Sequence, residues 1–154
     1  MKNHEQIVST LNRLLILNCE TEKLFFYALD QVEGKILKNF FSVAGYERNR
    51  FIKAIDASIR EKGATPTYHD TSLVEEYIKN SNLIKAIASQ NEQFILTEAG
   101  RVQVSDIEKY QKILNYFEFS DSDEELLEDQ QDTIVKSLYG IEVYKDFFAE
   151  KRAS

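Results

Sequence analysis

Four long stretches of this chain place apolar residues at intervals of three and four, and little interrupts them. The run from Ile36 to Gly63 shows the pattern most plainly, with Leu37, Phe40, Ala44, Phe51, Ala54 and Ser58/Ile59 in step. That spacing keeps one face of an α-helix apolar, so the segment predicts an amphipathic helix that buries a stripe in a bundle. Midway along, where Leu or Ile is expected, stands Glu47, with Arg50 one turn on. A carboxylate on a core face is costly unless it is paired or bound to a metal. Any functional reading has to account for Glu47.

The other stretches read the same way. A first helix over 4–32 carries the stripe Val8, Leu11, Leu15, Asn18, Glu22, Phe25 and Leu29, widened by Leu14, Leu17, Leu24 and Phe26. Glu33-Gly34 is a short turn, which predicts an antiparallel neighbour over 34–63, closed by Gly63. The only Pro, Pro66, sits in an extended segment over 64–71. Eight or so residues there span about 26 Å, more than a hairpin needs, so the segment begins a crossover. Thr71 or Ser72 is then placed to cap a short helix over 72–90. A third main helix over 91–118 carries Leu96, Ala99, Gln103, Ile107, Tyr110, Leu114 and Phe117. A fourth over 122–150 opens on a capping-box pattern, Ser122 with Glu125, and carries Leu127, Gln130, Ile134, Leu138, Ile141 and Phe148. The last residues, 149–154, are expected to fray. The expectation is one domain over 1–154: an all-α four-helix bundle whose crossover carries an extra short helix.

Composition removes several classes of function. A net charge of -7 argues against nucleic acid, which is bound by neutralising phosphates. No apolar run approaches the roughly 20 residues of a membrane span. The start, Met1-Lys2-Asn3-His4-Glu5-Gln6, lacks the order of a signal peptide. The lone Cys19 suits a reducing cytoplasm. The acidic run from Asp121 to Asp129 lacks the ligand spacing of a calcium loop and reads as a helix N-terminus. His4 and His69 offer no plausible catalytic triad. The aromatics Phe25, Phe40, Phe51 and Phe117 either line a cavity for an apolar ligand or fill the core.

Each stripe has a polar interruption near mid-helix: Asn18, Glu47, Gln103 and Gln130. Arg50 and Thr133 follow the second and fourth by three residues. Helices of similar length bring these towards one layer, as where bundles build di-iron sites from Glu and Glu-x-x-His. Leu11-Asn12-Arg13-Leu14-Leu15, the spacing from Glu47 to Gly63, and Leu126 to Ile134 resemble the ferritin-like superfamily, with bacterioferritin its best-known member. The chain most resembles small bacterial ferritin-like proteins of unknown function associated with stress. The resemblance covers about Leu11 to Phe148. It implies that Asn18 stands where the family has Glu, Arg50 where it has His, and Gln130 and Thr133 where it has a second Glu and His. The remaining Glu maps near Ser89 to Glu92 or onto Gln103.

These replacements remove metal affinity, since Asn and Gln are neutral and Arg50 has no lone pair. Its charge also repels a cation, by roughly 4 kcal/mol at 4 Å and an effective dielectric of 20. The first reading is a bundle that has lost its di-iron site and needs no cofactor. In it Arg50 stands in the metal's place, paired with Glu47 and bonded by Asn18, Gln103 or Gln130. The bland reading is a one-turn Glu47–Arg50 pair at the bundle's edge, worth a few tenths of a kcal/mol. Such a protein leans away from enzyme activity and acts through association, as a homo-oligomer such as a dimer, a role suggested by the apolar girth of Ile16, Leu17, Leu24 and Phe26. The alternative is an iron-binding oxidase or iron handler using a shifted set: Glu20 or Glu22, Glu47, Glu92 or Glu98, and Glu128.

Overall fold

In the computed structural model, which describes residues 2–153, the stripes become six helices with no strand among the described residues. α1 (Lys2–Gln31) and α2 (Lys35–Glu61) form one hairpin, and α5 (Glu92–Tyr116) and α6 (Asp121–Ala153) form another. Between them lie α3 (Thr71–Lys79) and α4 (Asn82–Ala88). The protein is an all-α helical bundle.

Local chemistry sets the helix ends. Gly34 turns the chain from α1 into α2 with φ of 86°, a left-handed conformation that a Cβ disfavours. α2 closes in a Schellman motif: Gly63, with φ of 78°, donates to Arg60 O at 2.9 Å, and Ala64 donates to Ile59 O at 3.2 Å. The single helix expected over 72–90 is two helices. It breaks at Asn80–Ser81, and the Ser81 hydroxyl accepts from Leu83 N at 3.1 Å to start α4. Ser and Asn compete with helix for backbone hydrogen bonds, which favours such a break. Asp70, not Thr71 or Ser72, caps α3 by accepting from Leu73 N at 3.0 Å. Ser120 rather than Ser122 opens α6, accepting from Asp123 N at 3.3 Å. The last helix runs past the expected end at 150 to Ala153.

Hydrogen bonds between helices fix their directions. Asn18 meets Tyr110 and Thr21 meets Asp106, so α1 and α5 are antiparallel. Asn39 meets Tyr144 and Ser58 meets Asp123, so α2 and α6 are antiparallel too. α2 and α5 therefore run parallel, which no tight turn can join. The crossover supplies the length. Its extended part is held along the bundle by Thr67 N donating to Asn12 Oδ1 at 2.7 Å and by the Tyr68 hydroxyl donating to Asp56 at 2.5 Å. α3 and α4 then pack over α1 and α5.

The core has two apolar clusters. One gathers Leu24, Phe25 and Ala28 of α1 with Phe40, Phe41 and Ala44 of α2, Leu83 of α4, Leu96 of α5 and Ile141 of α6. The other gathers Leu11, Leu14 and Leu15 with Phe51, Ile55, Ile59, Tyr110, Leu127 and Ile134. Each fully buried side chain of this kind contributes about 1.5–3 kcal/mol. Phe25, Phe40 and Phe41 pack ring on ring with centroids 5.1–6.1 Å apart, so these aromatics fill the core. Much of the girth of α1 is absorbed the same way. Tyr77 and Ile78 of α3 cover the cluster that holds Leu24. Phe26 lies over Gly45, where an added Cβ would come within 2.7 Å of its ring. Ile16 and Leu17 stay half-exposed.

Candidate functional site

Between the two clusters, and reaching on α6 into the one that holds Leu127 and Ile134, lies a layer of polar side chains. It takes Asn18 and Thr21 from α1, Arg48 from α2, Gln103 and Asp106 from α5, and Gln130 and Ser137 from α6. At its centre is Arg48, only 1% exposed and among the largest fully buried side chains. Position 48 faces inward because Phe41 and Ile55, seven residues either side, are the buried positions of the same stripe.

Four neighbours satisfy the guanidinium and one another. Arg48 Nη1 donates to Asn18 Oδ1 at 2.9 Å and to Asp106 Oδ2 at 2.8 Å. Arg48 Nη2 donates to Gln103 Oε1 at 2.5 Å. The Thr21 hydroxyl donates to the same Asp106 oxygen at 2.7 Å. Outward from this shell, Asn18 Nδ2 donates to Leu14 O and to the Tyr110 hydroxyl, each at 2.8 Å. Tyr110 donates in turn to Gln130 Oε1 at 2.8 Å, and Gln103 Nε2 donates to Ser137 Oγ at 2.9 Å. One donor, Gln130 Nε2, is buried without a partner.

The charges close on themselves. Arg48 and Asp106 form an ion pair at 2.8 Å with side chains 1% and 4% exposed, and the other members are neutral. Breaking such a pair strands a charge in low dielectric, whereas its net worth when intact is small. Complete burial drives the Tyr110 phenol well above its ordinary range, and Arg48 and the Asn18 hydrogen bond pull the other way. Tyr77 of α3 is raised to about 12, first by burial and then by the charges of Asp106 and Glu20. Both phenols therefore stay protonated, and Tyr110 serves as a donor to Gln130.

The inward pair on α2 is thus Arg48 and Phe51, not Glu47 and Arg50. Arg50 is exposed, and Glu47 is half-buried outside the layer, its carboxyl raised by burial against the pull of Arg50 and Arg48. Thr133 also stays out, its hydroxyl donating to Asp129 O of its own helix at 3.0 Å. Asn18, Gln103 and Gln130 lie in the layer. Arg48, Thr21, Asp106, Tyr110 and Ser137 were not expected there. The signal for Asp106 was its position three residues after Gln103 and four before Tyr110; for Arg48 it was the seven-residue spacing to Phe41 and Ile55.

The shifted ligand set does not converge. Glu20 lies 3.8 Å from His69, Glu22 accepts from Asn49 at 2.7 Å, Glu92 pairs with Arg152 and Glu98 with Arg101, while Glu128 is exposed. Among the described residues no three His, Cys, Asp or Glu side chains form a group that could hold a metal ion. Burial pushes the Cys19 thiol up to about 11, which leaves it a poor nucleophile. Two surface hollows are lined by none of the layer's residues. One of about 430 Å³ runs between α5 and α6 beside Gly100 and Leu138, and one of about 360 Å³ runs between α1 and α5 beside Leu17 and Ile113.

Fold and centre together define a class: an all-α bundle whose two apolar clusters are divided by a buried, arginine-centred polar layer. The chain belongs to the family described as a domain of unknown function, DUF2383, whose model matches residues 6–116. That match ends with α5, so Arg48 and the residues that bond it directly all lie inside it. No curated protein and no solved structure matches the chain. Among the described residues, no helix is long and apolar enough to cross a membrane.

Proposed function

We propose that this is a ferritin-like bundle without enzyme activity, in which an arginine side chain stands where related bundles hold two iron ions. The observation that carries the reading is the guanidinium of Arg48 at the level of the polar layer, bonded by Asn18, Asp106 and Gln103. A fixed cation there opposes a metal ion, and Asp106, the carboxylate that pairs with it at 2.8 Å, already neutralises it. Connectivity supports the same reading. Two hairpins joined by one long crossover between parallel helices is the arrangement of ferritin-like folds. A stress-related role goes with that resemblance. What remains for such a scaffold is association, with itself or with a partner, through its outer faces. Metal analysis of protein purified from iron-rich medium, with a ferrous-oxidation assay, tests the proposal. The expected result is trace metal and no oxidation above buffer; near-stoichiometric iron overturns it.

A further inference from the structure

The crossover helices pack on α1 and α5, and among the described residues they do not pack in the same way on the outer face shared by α2 and α6. That face holds a concentration of exposed apolar side chains. Tyr46, Tyr139 and Val143 are 64%, 67% and 66% exposed, and Val43 and Phe147 accompany them. Gly140 lies among them, and a Cβ built there meets nothing within 4 Å. A glycine in an open, apolar helix face lets another backbone approach closely.

The charges on this face are arranged in a particular order. The Asn39–Tyr144 and Ser58–Asp123 contacts fix how α2 and α6 lie side by side. In that register Val43 is level with Gly140, Glu47 is level with Lys136, and Arg50 is within a turn of Asp129. Among the described residues, none of these four charged side chains makes an ion pair within 4 Å. A two-fold axis running along the helices, in the plane of the face, sets α2 of one copy against α6 of the other at equal height. Negative Glu47 then meets positive Lys136 of the second copy, positive Arg50 meets negative Asp129, and Val43 meets Gly140 and Val143. Every pair occurs twice.

We infer that the α2–α6 face is the contact through which two copies of this chain form a symmetric dimer. The size is sufficient. α2 has 27 residues, so the face is about 40 Å long at 1.5 Å per residue and about 20 Å across two helices. That gives on the order of 800 Å² per copy, the area of a standard specific interface. The inference rests on the association reading above and adds to it the partner, the face and the register.

Sedimentation equilibrium on the full chain tests it, with circular dichroism melts confirming that each variant folds. Wild type is expected to be a dimer. Val143→Asp, at an exposed position, is expected to weaken dimerisation at least about tenfold by burying an unpaired charge. Glu47→Lys and Lys136→Glu are each expected to weaken it, and the double variant to restore it, which a merely structural effect would not do. A dimer that these changes leave intact overturns the inference while the association reading stands, the more so if Leu17→Asp in the α1–α5 groove breaks it. A strict monomer at high concentration removes the association reading, and this inference with it.

Discussion

Helix α2 carries an arginine on each of two faces, two residues apart, and the protein uses them in opposite ways. On the inner face, Arg48 lies between two apolar clusters and is held by Asn18, Asp106 and Gln103. On the outer face, Arg50 reaches into solvent. The covalent structure is the same; the surroundings set the consequence. Inside, a guanidinium is tolerable only because a carboxylate and two amide oxygens accept its hydrogen bonds, and each of those acceptors needs the guanidinium in return. Outside, water does that work. Buried polar groups are thus strongly coupled to their partners, while exposed ones are nearly independent.

Mutations can break or sharpen this contrast, and Arg48→Ala should have the largest effect. It leaves Asp106 charged and buried with Thr21 as its remaining partner, and it orphans Asn18 Oδ1 and Gln103 Oε1. A loss of about 3–5 kcal/mol in urea unfolding is expected. Leu15→Ala, in the apolar cluster with Phe51 and Ile55, should lose about 2–5 kcal/mol, through transfer and cavity terms alone. Its loss should not depend on whether Asp106 is present, so a double variant with Asp106→Asn separates the two mechanisms. Tyr110→Phe removes only the hydroxyl that links Asn18 to Gln130, and about 1–3 kcal/mol is expected.

A smaller effect depends on pH. Burial pushes the Asp123 carboxyl up, but Lys62 at 2.5 Å and the Ser58 hydroxyl at 2.9 Å outweigh it, and the net shift is below the usual carboxylate range. A carboxyl whose folded value is depressed stabilises the fold above its unfolded value near 4. That stability is lost as pH falls through the folded value. Melting curves recorded from pH 5 downward should therefore fall less steeply for Asp123→Asn than for wild type; identical slopes would remove Asp123 from the account. The smallest effect belongs to Arg50→Ala, expected to stay within about 0.5 kcal/mol in urea unfolding at a dilution where the chain is monomeric. An Arg50 variant as damaged as the Arg48 variant would break the contrast between the faces.

Part of the centre was legible and part was not, for a reason visible in α2 itself. Asn18, Gln103 and Gln130 each stand alone as a polar break in an apolar stripe, so pattern alone placed them inside. Glu47-Arg48-Asn49-Arg50 is different, because four consecutive residues at 100° each sweep about 300° of the helix. One of them must face the core, and the choice turns on the phase of the whole stripe. Phe40, Ala44 and Phe51 suggest one phase, while Phe41, Ile52, Ile55 and Ile59 suggest another, and all of these are buried. Asp106 was hidden for a related reason, with Ile107 beside it offering an apolar candidate for the same stripe. The break between α3 and α4 was also missed, since Asn80 and Ser81 carry weak signals that only a competing cap makes decisive.

The sequence by itself determined that the chain is helical, where the long helices lie, that a crossover of some length joins two hairpins, and that each main helix carries something polar near its middle. Periodicity and turn residues act over a few positions, so one strand of sequence is enough to express them. Tertiary structure alone decided which arginine is inside, because burial is a relation between helices and no single stripe contains its partners. Arg48 lies in the core only because Asn18, Gln103 and Asp106, from two other helices, arrive together to accept its hydrogen bonds.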